Sequence, residues 1–271
     1  MQNSNSDINS QKHGLIDLIE GFKLYYLWIR LAWTETKRRY RRTAIGPLWV
    51  SLSMLIFSLV LSAVWATLWQ QSVKEFLPFL LSGLLAWTFI SSCIGESTST
   101  LISAEAVLKN RKFPYSVYTN ALITKQLIIF GHNLLVLLIV KLILQPATFN
   151  LNFLLFIPGL FLVIFNLYWI TLLTATLCLR FRDFQQLITI FLQIIMFITP
   201  IFWPRERLIG HAEILVDANL IYHLTDVLRS PLLGQVPALN SFIIVLLTGI
   251  IGNFIVIKFM NKKIKRFVYW Y

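Results

Sequence analysis

Lys37-Arg38-Arg39-Tyr40-Arg41-Arg42-Thr43-Ala44-Ile45-Gly46-Pro47-Leu48-Trp49 joins five cations in six residues to an apolar run with no charge from Thr43 to Val73. That run is longer than the roughly 20 residues that cross a bilayer core. Basic residues at one end of a span are held on the cytoplasmic side during insertion. The junction therefore predicts that residues 1–42 stay inside and that the first span runs outward. Everything downstream inherits its orientation from this point.

Composition points the same way. Hydrophobic residues make up 57% of the 271, charged residues 13%, and mean hydropathy is +0.70, which excludes an ordinary soluble domain. Nearly charge-free runs place spans near 46–69, 76–97, 118–140, 153–178, 184–203 and 238–258. The expected fold is an all-α integral membrane protein of six transmembrane helices, with an N-terminal amphipathic interface helix and a re-entrant hairpin before the last span. Residues 1–45 form a cytoplasmic tail and that amphipathic helix, 46–260 the membrane domain, and 261–271 a cytoplasmic tail. Lys125 falls about two turns into the third span, where a lysine reaches the headgroups by snorkelling.

The net charge of +12 is topological. With both termini inside, nineteen Lys and Arg fall on the cytoplasmic side and five, Lys74, Lys141, Arg205, Arg207 and Arg229, outside. This follows the positive-inside rule and adds attraction to anionic lipid; it does not imply nucleic acid. The first apolar run is too long and too late for a cleavable signal peptide. Cys93 and Cys178 lie within spans and show neither disulfide nor metal spacing.

Between the spans, four segments carry information. In residues 14–34, Leu15, Leu18, Ile19, Phe22, Tyr26, Ile29 and Trp33 recur at helical spacing, with Asp17, Glu20 and Lys23 off that stripe. Such a helix lies in the inner-leaflet interface, either as a simple anchor or as a guard over a lateral opening. The loop 103–113 has Glu105 near its start, Lys109, Arg111 and Lys112 near its end, then Phe113-Pro114. Those charges suit a short helix's dipole, and the segment is either a solvated connector or a helix that fits a groove on a soluble partner. Arg180-Phe181-Arg182-Asp183 makes a tight turn, read mainly as helix capping. The external segment 205–236 is broken by Gly210, Pro231 and Gly234. Leu220, Leu224, Val227 and Leu228 still share one helical face there, which reads as a re-entrant or interfacial hairpin.

The chain has no Gly-x-x-x-x-Gly-Lys-Ser/Thr stretch for nucleotide phosphates and no metal-ligand spacing among its four histidines. Glu96 and Lys125 sit at similar depth and are expected to pair. His132-Asn133 reads as interhelical hydrogen bonding rather than a proton relay. Of the aromatics, Trp49, Trp69, Trp203 and Trp270 suit the interfacial belt. Trp65, Trp87, Phe191, Phe197 and Phe202 are alternatives between packing and lining a path for a sugar chain.

With Tyr40–Trp49, Ser82-Gly83-Leu84-Leu85-Ala86-Trp87, Arg180–Asp183, Phe197-Ile198-Thr199-Pro200-Ile201-Phe202-Trp203 and Arg266-Phe267-Val268-Tyr269-Trp270 in this order, the chain resembles the permease subunit of ABC-2-type polysaccharide exporters. That group moves lipid-linked O-antigen, capsule and teichoic-acid chains. The resemblance implies a non-catalytic permease of the bacterial inner membrane that forms a homodimer. It further implies two copies of a cytoplasmic ATPase that binds ATP and Mg, while this chain itself holds no cofactor. Phe22, Tyr26, Trp33, Arg39, Tyr40, Arg41 and Arg42 would form a gate helix and its junction. Glu105, Lys109, Arg111, Lys112 and Phe113 would form the coupling helix on the ATPase. Two other classes share parts of the pattern: a drug, lipid or teichoic-acid permease, and a membrane lipid-glycan transferase. The second would draw on Glu206, Glu213, Asp217, His211 and His223, which match no motif.

The cation distribution is directly testable. Reporter fusions after Lys74, Lys141 and Ile214 should report outside, and fusions at both termini inside.

Overall fold

A computed structural model describes residues 13–41, 43, 45, 46, 48–68, 70–110, 113–205 and 211–270. Among these residues the structure is all helix. The amphipathic segment forms α1 (His13–Lys23) and α2 (Tyr25–Arg39). Then come α3 (Leu48–Leu68), α4 (Val73–Ser103), the short α5 (Glu105–Asn110) and α6 (Ser116–Leu144). Two 3-10 turns lead into α7 (Phe156–Arg180), and a tight turn into α8 (Phe184–Ile198). The outer helices α9 (His211–Asp217) and α10 (Leu220–Leu232) precede α11 (Leu239–Lys263).

Five segments are long and apolar enough to cross a membrane: Leu48–Leu68, Val73–Ser103, Ser116–Leu144, Leu151–Arg180 and Leu239–Lys263. The expectation of six is met in part. Where a fifth span was expected over 184–203, regular helix stops at Ile198, so α8 has 15 residues and reaches about 22 Å at 1.5 Å per residue. Thr199 turns extended there, and Pro200 cannot continue the helix. The amphipathic helix also differs from expectation. It is broken at Leu24 (φ −81°, ψ 39°), because its halves dock on different neighbours: α1 on α11 and the start of α6, α2 along α6.

The core is built around α4, which packs against α3, α6, α7, α8 and α10. Its Phe76, Leu80, Leu81, Leu85, Ile90 and Cys93 are buried. Ser72 opens it with a hydroxyl that accepts from the Glu75 amide, the Ser-x-x-Glu arrangement of a capping box. In lipid, apolar surface gains nothing by leaving solvent, so helices associate through close packing and interhelical hydrogen bonds. Both are visible between α7 and α11. Asn166 Nδ2 donates to the Val245 carbonyl (2.8 Å), and Asn253 Nδ2 to that of Phe165 (3.0 Å). The Trp169 indole lies where a Cβ on Gly252 would stand. Ser51 Oγ donates to Asn133 Oδ1 at 2.7 Å, tying α3 to α6 as expected of Asn133, whereas His132 bonds within its own helix.

Several helix ends are closed by residues far away in sequence. Tyr115 at the N-terminus of α6 offers no side-chain cap. Asp17 supplies one from α1, its carboxylate accepting from the Tyr115 and Ser116 amides at 2.8 and 3.1 Å. Burial pushes the Asp17 carboxyl up, and those hydrogen bonds oppose it. Asn261 Oδ1, at the end of α11, accepts from the Gly14 and Leu15 amides and caps α1. The N-terminal helices are thus fastened to the bundle rather than merely adsorbed to lipid. Asp17→Ala should lower stability by about 1 kcal/mol, as for a lost N-cap. In detergent it should also speed proteolysis within α1 ahead of the rest of the chain.

Candidate functional site

Three regions hold the chemistry: a charge cluster around Lys125, the segment around α5, and, toward the other end of α4 and α6, a cavity lined in part by α10. In the first, Lys125 Nζ lies 2.6 Å from Glu96 Oε2 and 2.9 Å from Glu35 Oε2, and Arg39 lies 3.3 Å from Glu96 Oε1. The expected Glu96–Lys125 pair is present, and α2 adds an acid and a base to it. Lys125 is 13% exposed against 35% for Glu96 and 46% for Glu35, so the inner pair is the better shielded. Glu35 was not legible in the sequence: its partner is 90 positions away, and nothing local distinguishes it from a solvated acid.

The rest of α2 follows from that anchor. Its small residues Ala32 and Thr36 are buried against the bundle, while Tyr26, Ile29 and Trp33 are exposed. The apolar stripe therefore faces outward, as an interfacial helix requires. Phe22 tilts onto Tyr168 at 5.2 Å, and Lys37 lies over the Trp33 ring. Tyr40 is half-buried, burial raising its hydroxyl pKa, and Arg41 is exposed. Arg42 lies outside the described residues, as do Arg111 and Lys112.

Within the expected 103–113, helix α5 is described over Glu105–Asn110; it begins there because α4 continues to Ser103 before a break at Ala104. Lys109 Nζ donates to Glu105 Oε1 at 2.6 Å, and this bond holds the Glu105 carboxyl below its ordinary range. Arg182 lies 4.0 Å from the other Glu105 oxygen. The turn between α7 and α8 therefore sits beside α5, and Phe113 is half-buried.

The five aromatics separate by position. Trp87 and Phe202 are buried in the bundle core, and Trp65 packs partly against it. Phe191 and Phe197 are exposed on α8, at 52% and 73%. No residue of α8 is buried, and Phe184, Leu187, Phe191, Ile194 and Phe197 leave one apolar side of it uncovered.

On the outer side α10 is fastened by buried cations. Lys141, fully buried, donates to the Leu232 carbonyl at the C-terminus of α10 and lies 4.8 Å from the Phe149 ring. Arg229 donates to the Pro200 carbonyl at 2.6 Å and lies 3.5 Å from the Phe79 ring. Asn219 caps α10 at Ile221 and donates to Thr199 Oγ1. His223, which the transferase alternative would draw on, is buried between the Asp217 carbonyl and Ser241 Oγ. Gly159 of α7 is required here, since a Cβ would meet the Val227 carbonyl. Under α10 opens a cavity of about 500 Å³ lined by Glu75, Phe79, Gln145, Tyr222, Asp226 and neighbouring residues. Glu213, Asp217 and His223 form no metal-binding group among the described residues; Glu206 and the His211 side chain lie outside them.

Comparison with known proteins adds to this geometry. A family model described as ABC-2 type transporter matches residues 26–233. An O-antigen export system permease protein RfbA of Myxococcus xanthus is 27% identical over 179 residues, 66% of this chain and 68% of that protein. A protein of the same name from Klebsiella pneumoniae is 22% identical over 246 residues, 90% of this chain and 94% of that protein.

The charge cluster makes a quantitative prediction. A double-mutant cycle on Glu96→Gln and Lys125→Met, read by unfolding in detergent, should give a coupling of about 1 kcal/mol. The same cycle on Glu35→Gln and Lys125→Met should give less, because Glu35 is more solvated.

Proposed function

The chain belongs to the ABC-2 type transporter family, and on that premise we propose that it is the permease subunit of an ATP-driven exporter. Its cargo would be a lipid-linked polysaccharide of the O-antigen kind, carried across the bacterial inner membrane. The observation that carries this reading is the similarity, over 90% of the chain, to a relative named as an O-antigen export permease. The non-catalytic role follows from the sequence: without a phosphate-binding loop, ATP and Mg belong to a separate cytoplasmic ATPase.

Two copies of the permease with two ATPases form the working unit in this reading. A bundle of six spans is too slender to enclose a sugar chain, whereas the twelve spans of two copies leave a lumen between them. The uncovered apolar side of α8 supports its placement toward that lumen or the second copy. In this reading α8 with the turn after it is a sixth, thinned span. The hairpin of α9 and α10 is re-entrant from outside, and both termini are cytoplasmic. The charge cluster ties α2 to α4 and α6, which suits a gate helix whose movement follows the coupling segment. Phe191 and Phe197 are then path aromatics, and stacking on successive sugar rings supplies weak, repeated contacts, as aromatic platforms do for bases. Trp87 and Phe202 serve packing.

Deletion of the gene in its own cell should remove surface polysaccharide and leave lipid-linked polymer inside, with restoration by the wild-type gene. Polysaccharide reaching the surface at wild-type level without the gene would refute the reading. Reversing the charge of Lys109, Arg111 and Lys112 should leave the protein inserted while export falls and ATP hydrolysis no longer tracks it. Phe191→Ala and Phe197→Ala should slow export at normal abundance, whereas Trp87→Ala should lower abundance by costing about 3–5 kcal/mol of core packing.

A further inference from the structure

The outer cavity has a composition that the fold itself does not use up. It lies between the outer ends of α4 and α6 and the roof helix α10, and its volume of about 500 Å³ is within the roughly 300–1,000 Å³ of ligand pockets. We propose that this cavity is a saccharide site, which takes a sugar residue of the chain as it emerges on the outer side. The identity of that chain rests on the export reading above.

The argument begins with charge. The cavity is lined by two carboxylates, Glu75 and Asp226, and two guanidiniums, Arg205 and Arg229, so it favours neither anion nor cation. Both guanidiniums are already engaged. Arg205 pairs with Asp217 at 2.5 Å and lies 5.5 Å from the Tyr222 ring. Arg229 holds the Pro200 carbonyl and covers Phe79. Asp226 is likewise engaged, accepting from Ser230 Oγ at 2.6 Å and from the Ala238 amide. Among the described lining residues, each cation already has a partner.

The polar groups left to a ligand are neutral amides, a hydroxyl and one carboxylate, beside the apolar Pro200, Pro204, Leu233 and Val236. The side chains of Gln71, Glu75 and Gln235 are exposed and make no hydrogen bond among the described residues. Gln145 donates through Nε2 to the Lys74 carbonyl at 3.1 Å and keeps its own carbonyl oxygen. Thr225, on the cavity side of α10 and 2% exposed, has a hydroxyl with no hydrogen-bond partner among the described residues. Amide NH₂ groups donate while carboxylate and amide oxygens accept. Vicinal sugar hydroxyls, each both donor and acceptor, match that mixture; an apolar ligand would strand it. Each such bond exchanges with water and is modest in net value, so occupancy is brief, as a chain in transit requires.

The test uses the full chain with its ATPase in nanodiscs of phosphatidylethanolamine and phosphatidylglycerol, free of glycolipid. The probe is the oligosaccharide released by mild acid from the cell's own surface polysaccharide, followed by saturation-transfer NMR. Wild type should bind saturably. Gln71→Ala should raise the apparent Kd about fivefold, the loss of one neutral bond, Glu75→Ala at least about tenfold, the loss of a bond to a charged group, and Gln235→Trp, which fills the mouth, should abolish binding. Variants indistinguishable from wild type would overturn the assignment; should Gln235→Trp fail to fold, the two alanine variants at exposed positions remain decisive. Absence of binding by a wild-type protein that still restores surface polysaccharide overturns the cavity assignment alone. Failure to restore it overturns the export reading on which the assignment rests.

Discussion

Helix ends are the constraint on which this structure depends. Each α-helix leaves four amides and four carbonyls unpaired at its termini, and in a low-dielectric setting an unpaired polar group costs several kcal/mol. This chain meets that demand mostly at a distance. Asp17 closes the start of α6, Asn261 the start of α1, and Lys141 the end of α10. Arg229 takes the Pro200 carbonyl, and Asn219 joins the cap of α10 to Thr199. Each closure is also a tertiary tie, so the caps that complete the helices also set how the helices assemble.

The same logic explains why charge is present at depth. Lys125 would be costly alone in an apolar helix; with Glu96 and Glu35 on it and Arg39 beyond, the charge is shared across α2, α4 and α6. Such a cluster resists separation without forbidding it, because its outer members are solvated and only the inner pair is shielded. By contrast, α10 is held by buried contacts, with Lys141 donating to its last carbonyl and Gly159 admitting the Val227 backbone.

Between them, α8 is the unfinished part of the bundle. It is short, it has no buried residue, and its amide ties are few, with Gln185 Nε2 donating to the Thr98 carbonyl. An apolar helix with one side uncovered is complete only against lipid or another chain. It ends at Ile198, just before Pro200 joins the lining of the cavity beside α10.

Much of this was legible in the residues themselves. The cation run before Thr43, the charge-free stretches and the order of motifs were sufficient for a membrane-embedded all-α chain, for the approximate span positions and for the family, because lipid imposes composition and length locally. The Glu96–Lys125 pair was readable too, since depth can be counted along each helix. What the tertiary structure decided lies across long separations. The break at Leu24 arises because α1 and α2 have different neighbours. The early end of α8 is set by Thr199 and Pro200 turning beneath α10. Trp87 and Phe202 went to the core and Phe191 and Phe197 to the surface because α4 is enclosed by five helices and α8 packs on only part of its circumference. Glu35, Asp17, Asn261 and the cavity of Gln71, Glu75 and Gln235 left no local signal, since their meaning depends on a partner whose distance in sequence carries no period.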